Sequence, residues 1–268
     1  MALHPAPPRL PPLPTARPRL VANATLVETV ALTDTIRRLR VRPDDGVPPF
    51  VPGQYFALGL ERDGRLLQRP YSTASAPGER RILEFLVRRV PGGALTPSLW
   101  ELSAGDRVRI GRPKGLFALT PGDDRVHLFV ATGTGIAPFV SMVPSLLRRP
   151  SPPRIVVIQG AAHPDELAYR AWFASLGPGV RYIPALSRAT PARSARWDGA
   201  VGRVDAVLVR GWAELRLPTE RTVAYLCGNP GMTAGVRTRL LELGLGAADV
   251  RAEEYWTSPA AGASPERS

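Results

Sequence analysis

Cysteine is almost absent from this sequence. A single thiol, Cys227, excludes an internal disulfide framework and any iron–sulfur cluster held by cysteines. Histidine is nearly as scarce, with only His4, His127 and His163, which argues against a zinc site built from Cys and His ligands. Redox chemistry in this chain therefore needs an organic cofactor. No run of about eighteen apolar residues is present, so we expect no membrane span. Residues 1–18 are proline-rich and lack the continuous apolar stretch of a secretion signal, so they read as a disordered leader. The expected location is the cytoplasm.

What the chain does have is arginine. Its formal charge is +12, from 35 basic and 23 acidic residues, and Lys114 is the one lysine. Together with abundant alanine, proline and glycine, this suggests the bias of a GC-rich genome. A basic chain invites a nucleic-acid reading. No basic helix, finger or aromatic stacking motif accompanies the charge, so an acidic protein partner or simple bias explains it better.

At 268 residues the chain can form two domains. The first half reads as short strands at 20–29, 35–42, 54–60, 82–90 and 107–110, with Pro-Gly pairs at 52–53, 77–78 and 91–92 placed near them as turns. Many short strands without long helices suggest an antiparallel barrel. From about Pro121-Gly122 the pattern changes. Strands at 126–131, 154–159, 180–185, 222–226 and 250–255 alternate with helices at 138–149, 164–176, 203–210 and 230–243, which is the pattern of a parallel sheet covered by helices. Pro144 should kink the first of those helices or shorten it.

Three segments carry candidate chemistry. Arg69-Pro70-Tyr71-Ser72, placed after a strand, offers a guanidinium for a diphosphate, a ring for stacking and a hydroxyl for a ring nitrogen. Taken alone, it fits a polar turn with a half-buried tyrosine even better. Ala131-Thr132-Gly133-Thr134-Gly135-Ile136-Ala137-Pro138 follows an apolar strand and opens a helix, where glycines allow close approach to a phosphate and the helix start attracts an anion. Cys227-Gly228-Asn229-Pro230-Gly231-Met232 ends the fourth strand of the second half and so shares a crevice with Gly133–Pro138. Cys227 is open to reading as a nucleophile, but no His or Asn constellation supports it, and a small buried thiol is an equal account.

In this order, the three segments resemble the ferredoxin–NADP+ reductase family, in particular its bacterial branch, from about Leu20 to Trp256. The resemblance implies a two-domain fold: an antiparallel Greek-key β-barrel for FAD over 19–121, then an α/β parallel-sheet, Rossmann-like domain for NADP over 122–256, with a tail at 257–268. It implies Arg69 at the FAD diphosphate with Pro70 beside it, Tyr71 against the isoalloxazine and Ser72 near flavin N5. Val87 and the loop from Val90 through Gly93, Ala94, Leu95 and Thr96 complete that side, the loop holding phosphate by amides and a hydroxyl. Gly133, Thr134 and Gly135 would receive the NADP diphosphate and nicotinamide, with Gly228, Asn229 and Pro230 across the crevice and Cys227 beside the nicotinamide. Thr134 is also expected to reach the flavin. Tyr255 would cover the flavin face that the nicotinamide must occupy, and Trp256 would lie near the FAD adenine, with the tail as a tether. Ser72, Cys227 and Tyr255 form the expected catalytic set.

The resemblance also implies that Ser187, Arg188 and Arg203, matching the family's Ser-Arg pair and second arginine, grip the 2′-phosphate of NADP(H), and no acidic residue stands at that strand end to bond a free ribose as an NAD site would prefer. Some bacterial relatives have a further arginine where this chain reads Ala161-Ala162-His163. The implied activity is hydride transfer from NADPH to flavin, then single-electron steps to ferredoxin or flavodoxin, by a monomer. A reductase component of an oxygenase is the main rival. A dihydroorotate dehydrogenase electron-transfer subunit would need a cysteine cluster, and a basic nucleic-acid-binding protein would not absorb as a flavoprotein.

Overall fold

The computed structural model describes residues 22–62 and 64–255. The leader, the tail and Trp256 lie outside the described residues. In the first half, β1 (Ala24–Ala31) pairs antiparallel with β2 (Ile36–Pro43) and with β6 (Arg107–Ile110), and β2 pairs with β5 (Leu83–Arg88). On the other side, β3 (Tyr55–Arg62) lies between β6 and β4 (Arg65–Ser72). The spatial order is β4-β3-β6-β1-β2-β5. An antiparallel bridge between Thr73 and Phe85 draws the two ends together into a barrel. There the Ala74 N–H and the Thr73 hydroxyl both donate to the Glu84 carbonyl, at 2.8 and 3.1 Å. Leu39, Phe56, Leu58, Phe85 and Val108 fill the barrel interior. Each such large side chain stabilises the fold by roughly 1.5–3 kcal/mol relative to exposure.

Two expectations are corrected here, both by strand alternation. Arg69–Ser72 does not follow a strand but forms the end of β4, the terminal strand of the order. Because β4 pairs along its length only with β3, Pro70 is tolerated there despite its missing N–H. Val87 points into the barrel core and is fully buried with Leu83 and Phe85. The opposite face of β5 carries Glu84, Leu86 and Arg88, which turn toward the second half of the chain. Leu86 joins a core cluster with Phe129, Ile136 and Phe139 of that half.

The second half is a parallel sheet ordered β10-β9-β8-β7-β11-β12. Its strands are β7 (Val126–Thr132), β8 (Ile155–Ala161), β9 (Val180–Leu186), β10 (Ala200–Val201), β11 (Thr222–Gly228) and β12 (Val250–Glu254). All seven residues of β8 and of β11 are buried, as central parallel strands covered on both faces require. Between β5 and β6 runs the short helix α1 (Thr96–Trp100), and the helices of this half are α2 (Ala137–Leu147), α3 (Arg170–Ser175), α4 (Pro191–Ser194), α5 (Val204–Leu215) and α6 (Pro230–Glu242). Pro144 does not end α2, which continues to Leu147. The helix expected over 164–176 is instead split. A 3-10 turn at Pro164–Glu166 precedes α3, and Tyr169 between them takes a left-handed conformation, φ 62°. That break lets the Tyr169 hydroxyl donate to the Glu84 carboxylate across to the barrel.

Candidate active site

In a sheet of this order the topological switch lies beside β7, where β8 and β11 flank it, and ligands bind beyond the carboxyl ends of such strands. A cavity of about 360 Å³ lies there, lined by Thr132, Gly133 and Thr134 after β7, Gly160 to Ala162 at β8, Ser187 after β9, Gly202 and Arg203 after β10, and Gly228 and Asn229 after β11. Close main-chain packing shapes it. Gly133 has φ +55°, and Gly228 has φ +155° with room for no side chain, since a Cβ would stand 2.3 Å from Thr132 Oγ1. Asn229 caps α6 by accepting from the Met232 N–H at 2.8 Å, and Pro230 follows as its first helical residue.

Several expected nucleotide residues take other places. Gly135 is buried beneath the turn, where a Cβ would meet the Cys227 carbonyl oxygen at 2.2 Å, so it seats the turn on β11 rather than facing the cavity. Pro230 and Cys227 are not among the lining residues, and Cys227 is fully buried. Burial and the nearby Glu253 carboxylate push its thiol well above the ordinary range, which is the opposite of an activated nucleophile. Arg188 is exposed and outside the lining, with its main-chain N–H donating to the Ala162 carbonyl at 3.2 Å.

A second cavity, about 490 Å³, opens between the barrel and the last strand. Arg69, Pro70, Tyr71 and Ser72 form one wall, Gly93 to Thr96 another, and Glu253, Glu254 and Tyr255 the third. Burial raises the Tyr71 hydroxyl to about 12 against the opposing charge of Arg69, so it remains an O–H donor across the physiological range. Thr96 lines this cavity, but its hydroxyl is engaged within the loop. It accepts from the Val90 N–H at 2.9 Å and donates to the Val90 carbonyl at 3.2 Å, closing the loop on itself. Gly93 keeps that closure, because a Cβ would stand 3.0 Å from the same carbonyl oxygen. The cationic side chains in this lining are Arg69 and Arg88, beside the loop's main chain.

The two cavities share Arg88 and Tyr255 in their walls. Around Tyr255 the structure gathers Ser72 from the barrel with Cys227 and Glu253 from the sheet. The Ser72 hydroxyl donates to Glu253 Oε1 at 2.8 Å. Burial raises the Glu253 carboxyl, with the Ser72 bond opposing the shift. Burial also raises the Tyr255 hydroxyl well above its ordinary range, aided by Cys227 and Glu253, and that hydroxyl makes no hydrogen bond of good geometry. Thr132 Oγ1 is likewise buried without a partner among the described residues. Both atoms lie behind the cavity surfaces; what opens to the smaller cavity is the close main chain of Gly133 and Gly228, and what opens to the larger is the Arg69 guanidinium with the Tyr71 ring. The residues present therefore fit a flavin in the larger cavity and a nicotinamide nucleotide in the smaller.

The sequence reading missed Glu253, Arg88 and Glu166, and it named Thr132 only as part of the glycine segment, without a role of its own. Glu253 was within reach, because two residues before Tyr255 in an extended strand is the same face. Arg88 and Glu166 pair only where the two halves meet, which no local pattern encodes.

Comparison with known proteins agrees on the class: residues 23–119 match an oxidoreductase FAD-binding domain and residues 129–238 an oxidoreductase NAD-binding domain. Terephthalate 1,2-dioxygenase reductase component 1 from Comamonas is 34% identical over 250 residues, spanning 92% of this chain and 71% of that protein. Ferredoxin–NADP reductase B of Sorangium cellulosum is 34% identical over 240 residues, spanning 87% of this chain and 97% of that protein. The crystal structure of the Amycolatopsis cytochrome P450 reductase GcoB superposes with a TM-score of 0.76 at 28% identity, covering 87% of this chain and 69% of that one. The chain is thus a flavin- and nicotinamide-dependent oxidoreductase. It belongs to the ferredoxin–NADP+ reductase family.

Arg69 supplies a direct test of the larger cavity. It is exposed, and its Nη1 donates to the Gln68 carbonyl at 2.8 Å, which leaves further N–H groups of the guanidinium to meet phosphate. Replacing it with alanine is expected to weaken FAD binding by roughly ten- to a hundredfold, the loss of one charge-assisted contact. Titration of the apoprotein followed by flavin fluorescence measures this. Unchanged affinity would remove Arg69 from the site.

Proposed function

We propose that the chain takes electron pairs from NADPH and delivers them one at a time to an acidic carrier protein, a ferredoxin or flavodoxin. The observation that carries this reading is the shared wall: Tyr255 and Arg88 line both cavities, so a flavin ring in one and a nicotinamide in the other would meet at Ser72, Glu253 and Tyr255. Bound FAD would supply a group that accepts a hydride and releases electrons singly. The chain's own residues orient the rings, exclude water and hold a proton. Ser72 Oγ and Glu253 Oε1 form a pair in which a protonated Glu253 can donate to Ser72, which then turns its own proton toward the cavity. Tyr255 stands where the nicotinamide would stack, so its ring must yield before hydride transfer.

NADPH is favoured over NADH by the charge at the far end of the smaller cavity. Ser187 and Arg203 line it there, and the lining carries no carboxylate after β9. Glu166, the acid that does line it, is paired with Arg88. Replacing Ser187 and Arg203 together by alanine is expected to raise KM for NADPH about ten- to thirtyfold and to leave KM for NADH nearly unchanged. The effect is held to that range because the Arg203 side chain is 67% exposed and screened. Equal losses with both nucleotides would assign these residues to the fold.

The net charge of +12 suits an acidic carrier approaching the barrel. A reductase component of an oxygenase is the second reading, supported by the similarity to the Comamonas reductase. Anaerobic mixing with NADPH tests the function: the flavin absorbance should bleach and then return on addition of oxidised ferredoxin or flavodoxin. Bleaching with no return to either carrier would favour the oxygenase partner, and no bleaching would overturn the reductase reading.

A further inference from the structure

Arg88 ends β5 and projects from the barrel over the glycine turn of the other half. Its Nη2 lies 3.1 Å from Glu166 Oε2, and a Cβ on Gly133 would stand 3.0 Å from the same nitrogen. The guanidinium therefore rests against the turn whose main chain faces the smaller cavity, and the left-handed backbone of Gly133, φ +55°, presents no side chain to it. Glu166 belongs to the 3-10 turn Pro164–Glu166, and its side chain is only 16% exposed. The same stretch is anchored to the same barrel strand a second time, by Tyr169 on Glu84. Both Arg88 and Glu166 line the cavity that we assign to the nucleotide.

We propose that Glu166 is a resident counter-anion that occupies Arg88 until the diphosphate of the nicotinamide nucleotide displaces it. A carboxylate and a diphosphate compete for one guanidinium, because both accept its N–H groups and both need its charge. In the free protein Glu166 satisfies Arg88 and holds it on Gly133. A diphosphate arriving at that turn meets the cation already in place and exchanges for the carboxylate. The second tie, Tyr169 to Glu84, keeps the two halves in register while the first is broken. Glu166 thus lowers affinity and sharpens selection for ligands that carry a diphosphate. This inference rests on the assignment of the smaller cavity to the nucleotide.

The exchange makes opposite demands on its two partners. Calorimetric titration of the flavin-loaded protein with NADP+ should give a Kd about three- to tenfold lower in Glu166→Gln than in the parent. Arg88→Ala should raise it by tenfold or more. In the Arg88→Ala background, Glu166→Gln should have no further effect. Adenosine 2′-monophosphate, which lacks the diphosphate, should bind the parent and Glu166→Gln equally. Weaker or unchanged NADP+ binding in Glu166→Gln would overturn the exchange while leaving the nucleotide site intact. An equal gain for adenosine 2′-monophosphate would reduce Glu166 to a general electrostatic effect and overturn it as well. A parent that binds neither ligand would overturn both the exchange and the assignment of the cavity.

Discussion

Gly135→Ala is expected to weaken nucleotide binding by about a hundredfold or more while the barrel continues to hold FAD. The added methyl would sit 2.2 Å from the Cys227 carbonyl oxygen, 2.6 Å from its carbon and 2.9 Å from the Gly228 nitrogen. All three are main-chain atoms at the end of β11, so no side chain can swing aside to relieve the clash. The turn after β7 must lift, or the end of β11 must move, and either shift separates Gly133 and Thr134 from Gly228 and Asn229. Overpacking of this kind costs about 1–3 kcal/mol in stability. A misplaced cradle costs more in function, and a loss of NADP+ affinity of about a hundredfold or greater is expected, equivalent to roughly 2.7 kcal/mol.

Gly211→Ala supplies the contrast. Gly211 lies within α5, where a Cβ would meet only a Leu215 methyl at 3.9 Å. That substitution should leave NADP+ binding unchanged and stabilise the fold by about 0.5–1 kcal/mol, the usual gain from replacing a helical glycine. Calorimetry with NADP+ and the flavin spectrum of each variant decide the matter. A Gly135→Ala protein that binds NADP+ like the parent would show that the turn is not seated on β11 as described.

The contrast between these glycines also shows what a sequence can reveal. Gly133 and Gly135 were legible as a phosphate turn because a strand precedes them and a helix follows. Their division of labour was not, because Gly135 is defined by the carbonyl of Cys227, ninety-odd positions along the chain (227 less 135). The alternation of strands and helices placed the parallel sheet, since β8 and β11 are largely apolar runs, as central strands covered on both faces are. β4 was hidden for the opposite reason. Its residues Arg65, Gln68, Arg69 and Pro70 are exposed, and an edge strand facing a cofactor cavity carries no apolar alternation to read. Tyr169 broke an expected helix because its hydroxyl is satisfied on the barrel, a tertiary contact that outweighs the local cost of a left-handed backbone. The site residues that local patterns supplied lie in loops and strand ends. Those they did not supply, Arg88 and Glu166 above all, exist as a pair only once the two halves have docked.

Ser72→Ala and Glu253→Gln are each expected to slow flavin reduction by NADPH by about a hundredfold, and the double variant to be no slower than the worse single one. On the proposed relay the hydroxyl and the carboxyl would act as one unit through their 2.8 Å bond, so that removing either disables the other. A positioned acid–base group contributes typically about 10²–10⁴-fold, and the lower end applies where the proton is relayed rather than delivered directly. The pH dependence follows from burial. Glu253 sits above the ordinary carboxyl range in the folded protein, whereas an unfolded glutamate titrates near about 4.3. The folded state therefore binds the proton more tightly than the unfolded state. Its contribution to stability is fully present below the unfolded value and is lost as pH rises through the folded one. Glu253→Gln removes that loss, so above the folded value this variant should melt higher than the parent although it reduces flavin more slowly. A structural defect would lower both quantities together. Stopped-flow bleaching of the flavin by NADPH, paired with melting curves across pH, separates the cases. Rate losses that multiply in the double variant would mean that Ser72 and Glu253 serve the reaction independently, and the relay between them would have to be abandoned.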